Sequence, residues 1–285
     1  MTVLRAGLIG SHIGNSRFSA ALRHMCADLG IDLSFTPIDT AGRPNFAFDT
    51  TVRSLIDQGW DGVTVTHPHK PEAARVAGAR MAEEVRHLGA ANILMFDRHA
   101  GHIASGHNTD FSGFLGAWQA RFGTAAPGRV AMAGAGGVAE ALGAALIALG
   151  AETLTIWDTV PDRAEGLARR LGAHASAVPA HRARDAVAGA TGLVNATPLG
   201  MAYQPGMAFQ ADDIGPQSWA FDAVYTPTDT RFLRAAAARG LSCLTGFDLF
   251  SHMAVRSFQV YTGITPDAEK AIAALAPLKP EDVSA

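Results

Sequence analysis

Short apolar runs alternate with amphipathic segments along the chain, a pattern typical of a protein that mixes strands and helices. Residues 63–66, Val-Thr-Val-Thr, are all β-branched, which favours a strand. In the first half, strands are predicted at 4–9, 33–38 and 63–66, helices at about 20–29, 48–58 and 110–121, several helical segments between 71 and 88, and a two-stranded hairpin at 92–96 and 102–105.

From residue 128 the pattern becomes a regular alternation of strand and helix, which is typical of a doubly wound parallel sheet. Strands are predicted at 130–133, 153–157, 192–195, 219–222 and 242–244, and helices at 137–149, 161–171, 182–188, 246–261 and 266–275. We therefore expect an α/β protein of two domains. Residues 1–105 would form a substrate-binding domain, 106–239 a Rossmann-type dinucleotide-binding domain, and 240–285 helices that return to the first domain.

A glycine-rich turn, Gly134-Ala135-Gly136-Gly137, follows the apolar strand at 130–133. Gly134 permits a tight turn, Gly136 lets the backbone approach a pyrophosphate, and the small Ala139 lets helix and strand pack closely. The start of the helix, which includes Val138, would offer unpaired N–H groups to the phosphates. Such turns also serve plain packing, but the strand before and the helix after this one favour a nucleotide site.

The composition narrows the class of protein. The 285 residues, 48% of them apolar, are enough for two medium domains with proper cores. A net charge of −3 gives no general attraction to nucleic acid or to an anionic membrane. The two cysteines, Cys26 and Cys243, are too few for a disulfide framework, and no apolar stretch reaches the length of a membrane span or a secretory signal, so we expect a cytoplasmic protein.

The eleven histidines raise the question of a metal site. The sequence contains no His-x-x-x-His helix pair with a neighbouring acid and no cysteine pair, so we expect no bound metal and place most histidines on the surface or in loops.

Five motifs occur in a fixed order along the chain. They are Val63-Thr64-Val65-Thr66-His67-Pro68-His69-Lys70, Gly89-Ala90-Ala91-Asn92, Gly106-His107-Asn108-Thr109-Asp110, the glycine turn, and Asn195-Ala196-Thr197-Pro198-Leu199-Gly200-Met201. Together they resemble the shikimate dehydrogenase family, including its quinate-oxidising members, over residues 7–263. The resemblance implies a substrate domain completed by the C-terminal helices, with a nicotinamide-binding domain inserted between its two parts.

The resemblance also implies roles for individual residues. Lys70 matches the catalytic lysine and Asp110 its acidic partner. Removing a hydride from a secondary alcohol requires that the hydroxyl proton leave as well, and such a pair can take it; which of the two carries the proton stays open. Asn92 and Thr66 match positions that bind ring hydroxyls. The matching cofactor contacts are Thr197, Met201, Val224 and Gly246.

Three of these assignments have alternatives on the residues alone. Lys70 is equally a solvated surface lysine, as most lysines are. Asp110 is equally an acid that interacts with a helix dipole. Tyr225 matches a family tyrosine near the substrate carboxylate, but a half-buried aromatic at a strand end would look the same.

The chain departs from the family pattern at two places in the expected substrate pocket. Many family members carry two hydroxyl residues that bind the substrate carboxylate; Ser16 matches the first, but Phe18 stands at the position of the second, and Ser19 follows it as an alternative hydroxyl shifted by one residue. Met253 stands where many members carry a glutamine that contacts a ring hydroxyl. Losing a hydrogen bond to a charged group costs roughly 1.5–3 kcal/mol and losing a neutral one roughly 0.5–1.5 kcal/mol, so we expect an altered substrate preference.

The expected cofactor is NAD rather than NADP. Asp158 lies about 20 residues beyond the glycine turn, where an acid hydrogen-bonds ribose hydroxyls and repels a 2′-phosphate. Family members that use NADP typically place Asn-Arg-Thr here, whereas this chain has Asp158-Thr159-Val160 with the nearest arginine at Arg163. Asp158 is also a possible N-cap of the next helix.

The leading interpretation is an oxidoreductase that moves a hydride between NAD and the ring alcohol of shikimate or quinate, with 3-dehydroshikimate or 3-dehydroquinate as the ketone. Two alternatives stay open: a paralogue specialised for aminoshikimate or another cyclic polyol acid, and a non-catalytic nucleotide-binding regulator. The expected partner is a small cyclic polyol acid, with no nucleic acid or membrane, and the protein would be a monomer or a homodimer.

Overall fold

The computed structural model describes residues 3–280 of the chain. They divide into two compact units. The first contains the residues up to Asp110 together with Met253–Leu278, and the second contains Phe111–His252. Within residues 3–280, no helix is long and apolar enough to cross a membrane.

The first unit is built on a mixed five-stranded sheet with the order β2-β1-β3-β4-β5. Strand β1 runs parallel to β2 and β3, and the antiparallel pair of β4 and β5 confirms the predicted hairpin. The elements are β1 (Val3–Gly10), α1 (Phe18–Asp28), β2 (Asp32–Asp39), α2 (Phe48–Asp57), β3 (Gly62–Val65), α3 (Lys70–Ala77), β4 (Ile93–Asp97) and β5 (His102–His107).

The helical segments predicted at 71–88 are one α-helix followed by two short 3₁₀ turns. Helix α3 ends at Ala77, because Gly78 takes a left-handed conformation with φ of 52° and the chain continues as two short 3₁₀ turns, Gly78–Arg80 and Glu83–Val85. A glycine adopts positive φ without the steric penalty of a side chain, so it ends a helix readily.

The second unit confirms the predicted parallel sheet, whose order is β11-β10-β9-β6-β7-β8. The elements from here to the end of the described chain are α4 (Thr109–Phe122), β6 (Arg129–Ala133), α5 (Gly137–Ala148), β7 (Thr153–Trp157), α6 (Pro161–Leu171), β8 (Ala175–Ala177), α7 (Ala183–Ala188), β9 (Gly192–Asn195), β10 (Trp219–Asp222), α8 (Arg231–Ala238), β11 (Ser242–Leu244), α9 (Gly246–Thr262) and α10 (Ala268–Leu275).

Two elements of this unit were not predicted from the sequence. Strand β8 is Ala-Ser-Ala, which has neither β-branched nor large apolar side chains, and only its pairing with β7 defines it. Helix α8 begins at Arg231, directly after its N-cap Thr230, whose hydroxyl accepts a hydrogen bond from the backbone N–H of Leu233.

The order of the parallel strands determines where a ligand can bind. Numbered from β6, the six strands follow the doubly wound order 3-2-1-4-5-6, which reverses between β6 and β9. Ligands of such sheets bind beyond the carboxyl ends of the strands at that reversal. The segments after Ala133 and Asn195 meet there, because the backbone N–H of Ala196 donates to the carbonyl of Ala133 at 2.8 Å.

Candidate active site

Lys70 and Asp110 form the central contact of the first unit. Lys70 is the first residue of α3 and Asp110 lies in the first turn of α4. The Lys70 Nζ lies 2.6 Å from Asp110 Oδ2, and the two side chains are only 13% and 10% exposed. An ammonium and a carboxylate this close and this shielded form a strong charge-assisted hydrogen bond.

The side chain of Asn92 belongs to the same cluster. The backbone N–H of Ala91 donates to the carbonyl of Lys70 at 2.9 Å, so the segment before β4 is attached to the start of α3. Asn92 is 2% exposed, and its carboxamide contacts Thr109, the neighbour of Asp110. The motifs that end at Lys70 and at Asn92 therefore both contact the motif that ends at Asp110.

His69 holds the start of α3 in place, which sequence reasoning missed because it expected most histidines on the surface or in loops. The ring is buried, with Nε2 3.0 Å from Thr40 Oγ1 and Nδ1 against the carboxylate of Glu72. It also packs between Phe46 and Phe48, with ring centroids 5.1 and 5.5 Å away. This packing locates the backbone from which the Lys70 side chain projects.

Of the two pocket departures expected from the sequence, Phe18 is a core side chain. It is 3% exposed, and its ring lies 6.2 Å from that of Phe35. Ser16 Oγ accepts a hydrogen bond from the Phe18 backbone N–H at 3.3 Å. Met253 Sδ lies 3.4 Å from Ser257 Oγ. Thr66 is partly buried, and its backbone N–H donates to the carbonyl of Ile9. Substrate contacts by these residues stay a prediction.

In the second unit, the glycine turn has the geometry that a dinucleotide requires. Gly134 has φ of 97°, and a Cβ atom there would lie 2.8 Å from the carbonyl group of Ala196. Gly136 faces open space, since a Cβ atom would meet nothing within 4 Å. Helix α5 begins at Gly137, so its first backbone N–H groups, including that of Val138, lack helical partners. These features fit a pyrophosphate at the helix N-terminus.

Asp158 is attached to the glycine turn itself. Its Oδ2 accepts from the backbone N–H of Ala135 at 2.8 Å, and its Oδ1 accepts from that of Val160 at 2.9 Å. The carboxylate thus lies beside the turn at the carboxyl end of β7. Glu140, one turn into α5, is paired through both oxygens with Arg170, which neutralises the second acid near the expected phosphates.

A buried polar network joins the loops that follow β9 and β10. Asn195 Nδ2 donates to Asp222 Oδ1 at 2.9 Å, and its Oδ1 accepts from the Thr197 hydroxyl at 2.6 Å. Asp222 also accepts from the Thr230 hydroxyl at 2.6 Å and from the Val224 backbone N–H at 3.0 Å. Burial raises the pKa of Asp222 to about 6, although these hydrogen bonds oppose the shift. Sequence reasoning gave Asp222 no role, and an acid that directly follows an apolar strand was the only signal.

Gly246, Tyr225 and Met201 complete the expected set. A Cβ atom at Gly246 would lie 2.6 Å from the carbonyl oxygen of Val224, so only glycine allows α9 to begin this close to the β10 loop. Tyr225 is partly buried, and its ring stacks on Phe250 at 5.5 Å. Met201 closes the β9 loop through its backbone N–H to the carbonyl of Pro198. Their contacts with a cofactor or a substrate stay a prediction.

Among residues 3–280, no group of three or more histidine, cysteine, aspartate or glutamate side chains is arranged to hold a metal ion.

Comparisons with known proteins agree with this geometry. The family model of the shikimate dehydrogenase substrate-binding domain matches residues 8–94. A shikimate dehydrogenase (NADP(+)) of Streptomyces avermitilis is 35% identical over 279 residues, which cover 95% of this chain and 94% of that protein. A quinate/shikimate dehydrogenase (NAD(+)) of Corynebacterium glutamicum is 35% identical over 273 residues, which cover 93% and 95%.

Solved structures extend the similarity to the whole fold. The quinate dehydrogenase of Corynebacterium glutamicum in complex with NAD has a TM-score of 0.89 and 31% identity, covering 97% of this chain and 100% of that one. The shikimate 5-dehydrogenase of Thermus thermophilus in complex with NADP(H) and shikimate has a TM-score of 0.81 and 32% identity, covering 95% and 98%.

Proposed function

Because the chain belongs to the shikimate dehydrogenase family, we propose that it oxidises the ring alcohol of shikimate or quinate, and reduces the matching ketone, with NAD as the preferred cofactor. The observation that carries this proposal is the 2.6 Å contact of Lys70 with Asp110, two charged groups that are almost buried. A regulator that only binds nucleotides does not need this pair, since removing two charges from water is costly and well-packed apolar side chains would serve stability as well.

In the proposed reaction, Lys70 and Asp110 handle the proton of the ring alcohol. The Lys70 ammonium has three N–H groups and donates one of them to Asp110. The other two can donate hydrogen bonds to the alcohol oxygen. The Asp110 carboxylate stays acceptor-only while ionised and can receive the hydroxyl hydrogen bond. The pair exchanges one proton with the substrate oxygen, and in the reverse direction returns it to the ketone oxygen.

When bound, the nicotinamide supplies the hydride acceptor or donor. The chain would hold the dinucleotide by the glycine turn, with the pyrophosphate at the N-terminus of α5. The supports are the open space above Gly136 and the 2.8 Å approach of Gly134 to Ala196. Thr197 and Met201, on the loop after β9, would border the cofactor at the reversal of strand order.

The preference for NAD over NADP rests on Asp158. Its carboxylate lies beside the glycine turn, hydrogen-bonded to Ala135, where it would bind ribose hydroxyls and repel a 2′-phosphate. Relatives of similar identity are named for either cofactor, so the preference has to come from residues of this chain.

Steady-state kinetics with shikimate and quinate, each with NAD and NADP, test both parts of the proposal. Turnover with at least one of the two acids is expected, and turnover with neither would refute the function. For the cofactor, Asp158→Asn removes the charge and keeps one oxygen for the Ala135 N–H, at the expense of the hydrogen bond from the Val160 N–H. We expect it to raise the relative kcat/KM for NADP about tenfold, since one charge contact is worth at least 1.4 kcal/mol.

Asp162→Asn is the matched control for Asp158→Asn. Asp162 is an exposed acid in the first turn of α6, four residues away, so its removal changes the local charge by the same amount. The ratio of NAD to NADP efficiency should stay at the wild-type value in this variant. If Asp158→Asn leaves the ratio unchanged, the NAD assignment is wrong even where the dehydrogenase activity is present.

A further inference from the structure

The orientation of the Asn92 carboxamide follows from a single contact. One of its terminal atoms lies 2.7 Å from the backbone nitrogen of Thr109. A backbone N–H can only donate, so the atom that faces it is the carboxamide oxygen. The nitrogen end is then defined as well, and Nδ2 lies 3.0 Å from Thr109 Oγ1.

The hydroxyl hydrogens next to Asn92 are determined in the same way. Ser257 Oγ lies 2.8 Å from the carbonyl oxygen of Met253, which can only accept, so the Ser257 hydroxyl donates there. The 2.9 Å contact between Thr109 Oγ1 and Ser257 Oγ is then a hydrogen bond with Thr109 as donor, and the same hydroxyl hydrogen has a second, longer acceptor in Asn92 Oδ1 at 3.2 Å. Thr109 Oγ1, with its hydrogen pointed at Ser257, accepts from Asn92 Nδ2. We call this chain, from Asn92 through Thr109 and Ser257 to the Met253 carbonyl, the amide relay.

The relay is shielded from water, which strengthens each of its bonds. Asn92 and Thr109 are 2% exposed and Ser257 is fully buried. The carboxamide oxygen lies against both the backbone nitrogen of Thr109 and, at 3.2 Å, its hydroxyl oxygen. Within residues 3–280 the nitrogen donates one hydrogen bond, to Thr109 Oγ1, so its second hydrogen is left for a ligand. The end of the carboxamide that is left for a ligand is therefore a donor.

We propose that Thr109 and Ser257 are positioning residues that hold the Asn92 carboxamide with an N–H, and not an oxygen, directed to the substrate. The proposal rests on the proposed function, in which Asn92 binds a ring hydroxyl beside Lys70 and Asp110. A hydroxyl oxygen can accept this N–H, whereas a protonated amine has no lone pair to accept it. The relay thus selects a cyclic acid with a hydroxyl at this ring position against an analogue with an amine there.

Substitutions at two positions can break the relay, and at one of them a conservative variant should restore it. Thr109→Val removes the middle hydroxyl and Thr109→Ser restores it, while Ser257→Ala removes the last one. We expect Thr109→Val and Ser257→Ala to raise the KM for the acid about 3- to 10-fold, the effect of one neutral hydrogen bond, with the KM for the cofactor unchanged. Thr109→Ser should stay within about twofold of wild type.

Ser251→Ala is the matched control. Ser251 lies on the same helix and is 2% exposed, and its hydroxyl donates to the carbonyl of Phe247 four residues earlier, as Ser257 does to Met253, but it has no part in the relay. It should leave both KM values unchanged. Asn92→Asp gives a second test. It replaces the N–H donor with an acceptor and should raise the kcat/KM for the amine analogue relative to that for the hydroxyl acid.

The outcomes distinguish a failure of the amide relay from a failure of the proposed dehydrogenase function. Wild-type turnover of shikimate or quinate with unchanged substrate KM in Thr109→Val and Ser257→Ala overturns the relay and leaves the function standing. Equal changes in Ser251→Ala and Ser257→Ala, or equal shifts in the substrate and cofactor KM, also overturn it, because they indicate a general effect on the helix. Absence of turnover by the wild type overturns both proposals.

Discussion

Removing one charge of the Lys70–Asp110 pair should cost more stability than removing both. At the 2.6 Å separation of Nζ and Oδ2, the attraction is about 6 kcal/mol at an effective dielectric constant near 20. The side chains are 13% and 10% exposed, so an ion left alone keeps most of its desolvation cost without a partner. Breaking such a pair typically costs about 3–5 kcal/mol, whereas a neutral pair of similar shape is tolerated far better.

The test is a double-mutant cycle with Lys70→Met, Asp110→Asn and the combined variant, read by urea unfolding and by steady-state kinetics. Each single change should lower the unfolding free energy by about 3 kcal/mol and kcat by about 10²- to 10⁴-fold. The combined variant should be no less stable than either single variant and no slower than the worse of them, because the residues act as a unit.

An exposed ion pair provides the control for this cycle. Arg182 and Asp185 are separated by 3.3 Å, with side chains 64% and 71% exposed, so Asp185→Asn should cost about 1 kcal/mol or less. If the stability losses of Lys70→Met and Asp110→Asn simply add in the combined variant, the two charges are not coupled and the reasoning fails. An equally large loss in Asp185→Asn would show that burial is not the cause.

The remaining predictions concern two buried groups. Burial raises the pKa of Asp222 from 3.8 to about 6, so its contribution to stability is complete below the lower value and is lost as pH rises through the higher one. Asp222→Asn should remove this decline. Urea unfolding of both proteins at about pH 4 and pH 7 measures it, and the same pH dependence in both would contradict the prediction. Tyr261→Phe should lower the unfolding free energy by about 1–3 kcal/mol, because it leaves the buried Thr64 hydroxyl without its 2.8 Å partner, and adding Thr64→Val should recover part of the loss in the same assay.

Much of the fold could be predicted because its elements carry local signals. Apolar runs separated by glycines identify β6, β7, β9 and β10, and the segments between them are long enough for crossover connections, which indicates a parallel sheet. The predicted fold class and family resemblance are confirmed. Two elements were missed: strand β8, whose small residues give no such signal, and helix α8, although its alanines and its Thr230 N-cap favour a helix.

The candidate site also has a part that the sequence predicts and a part that depends on the folded structure. The sequence by itself determined which groups are candidates for the chemistry, since Lys70, Asp110 and Asn92 are recognised by residue type within motifs. Tertiary structure decided what each group is bonded to. Phe18 lies in the core, Asp222 joins two loops, and Thr109 and Ser257, 148 positions apart, share a 2.9 Å hydrogen bond. Hydrogen bonds and burial depend on distances between atoms that the chain brings together only on folding, and no local pattern encodes them.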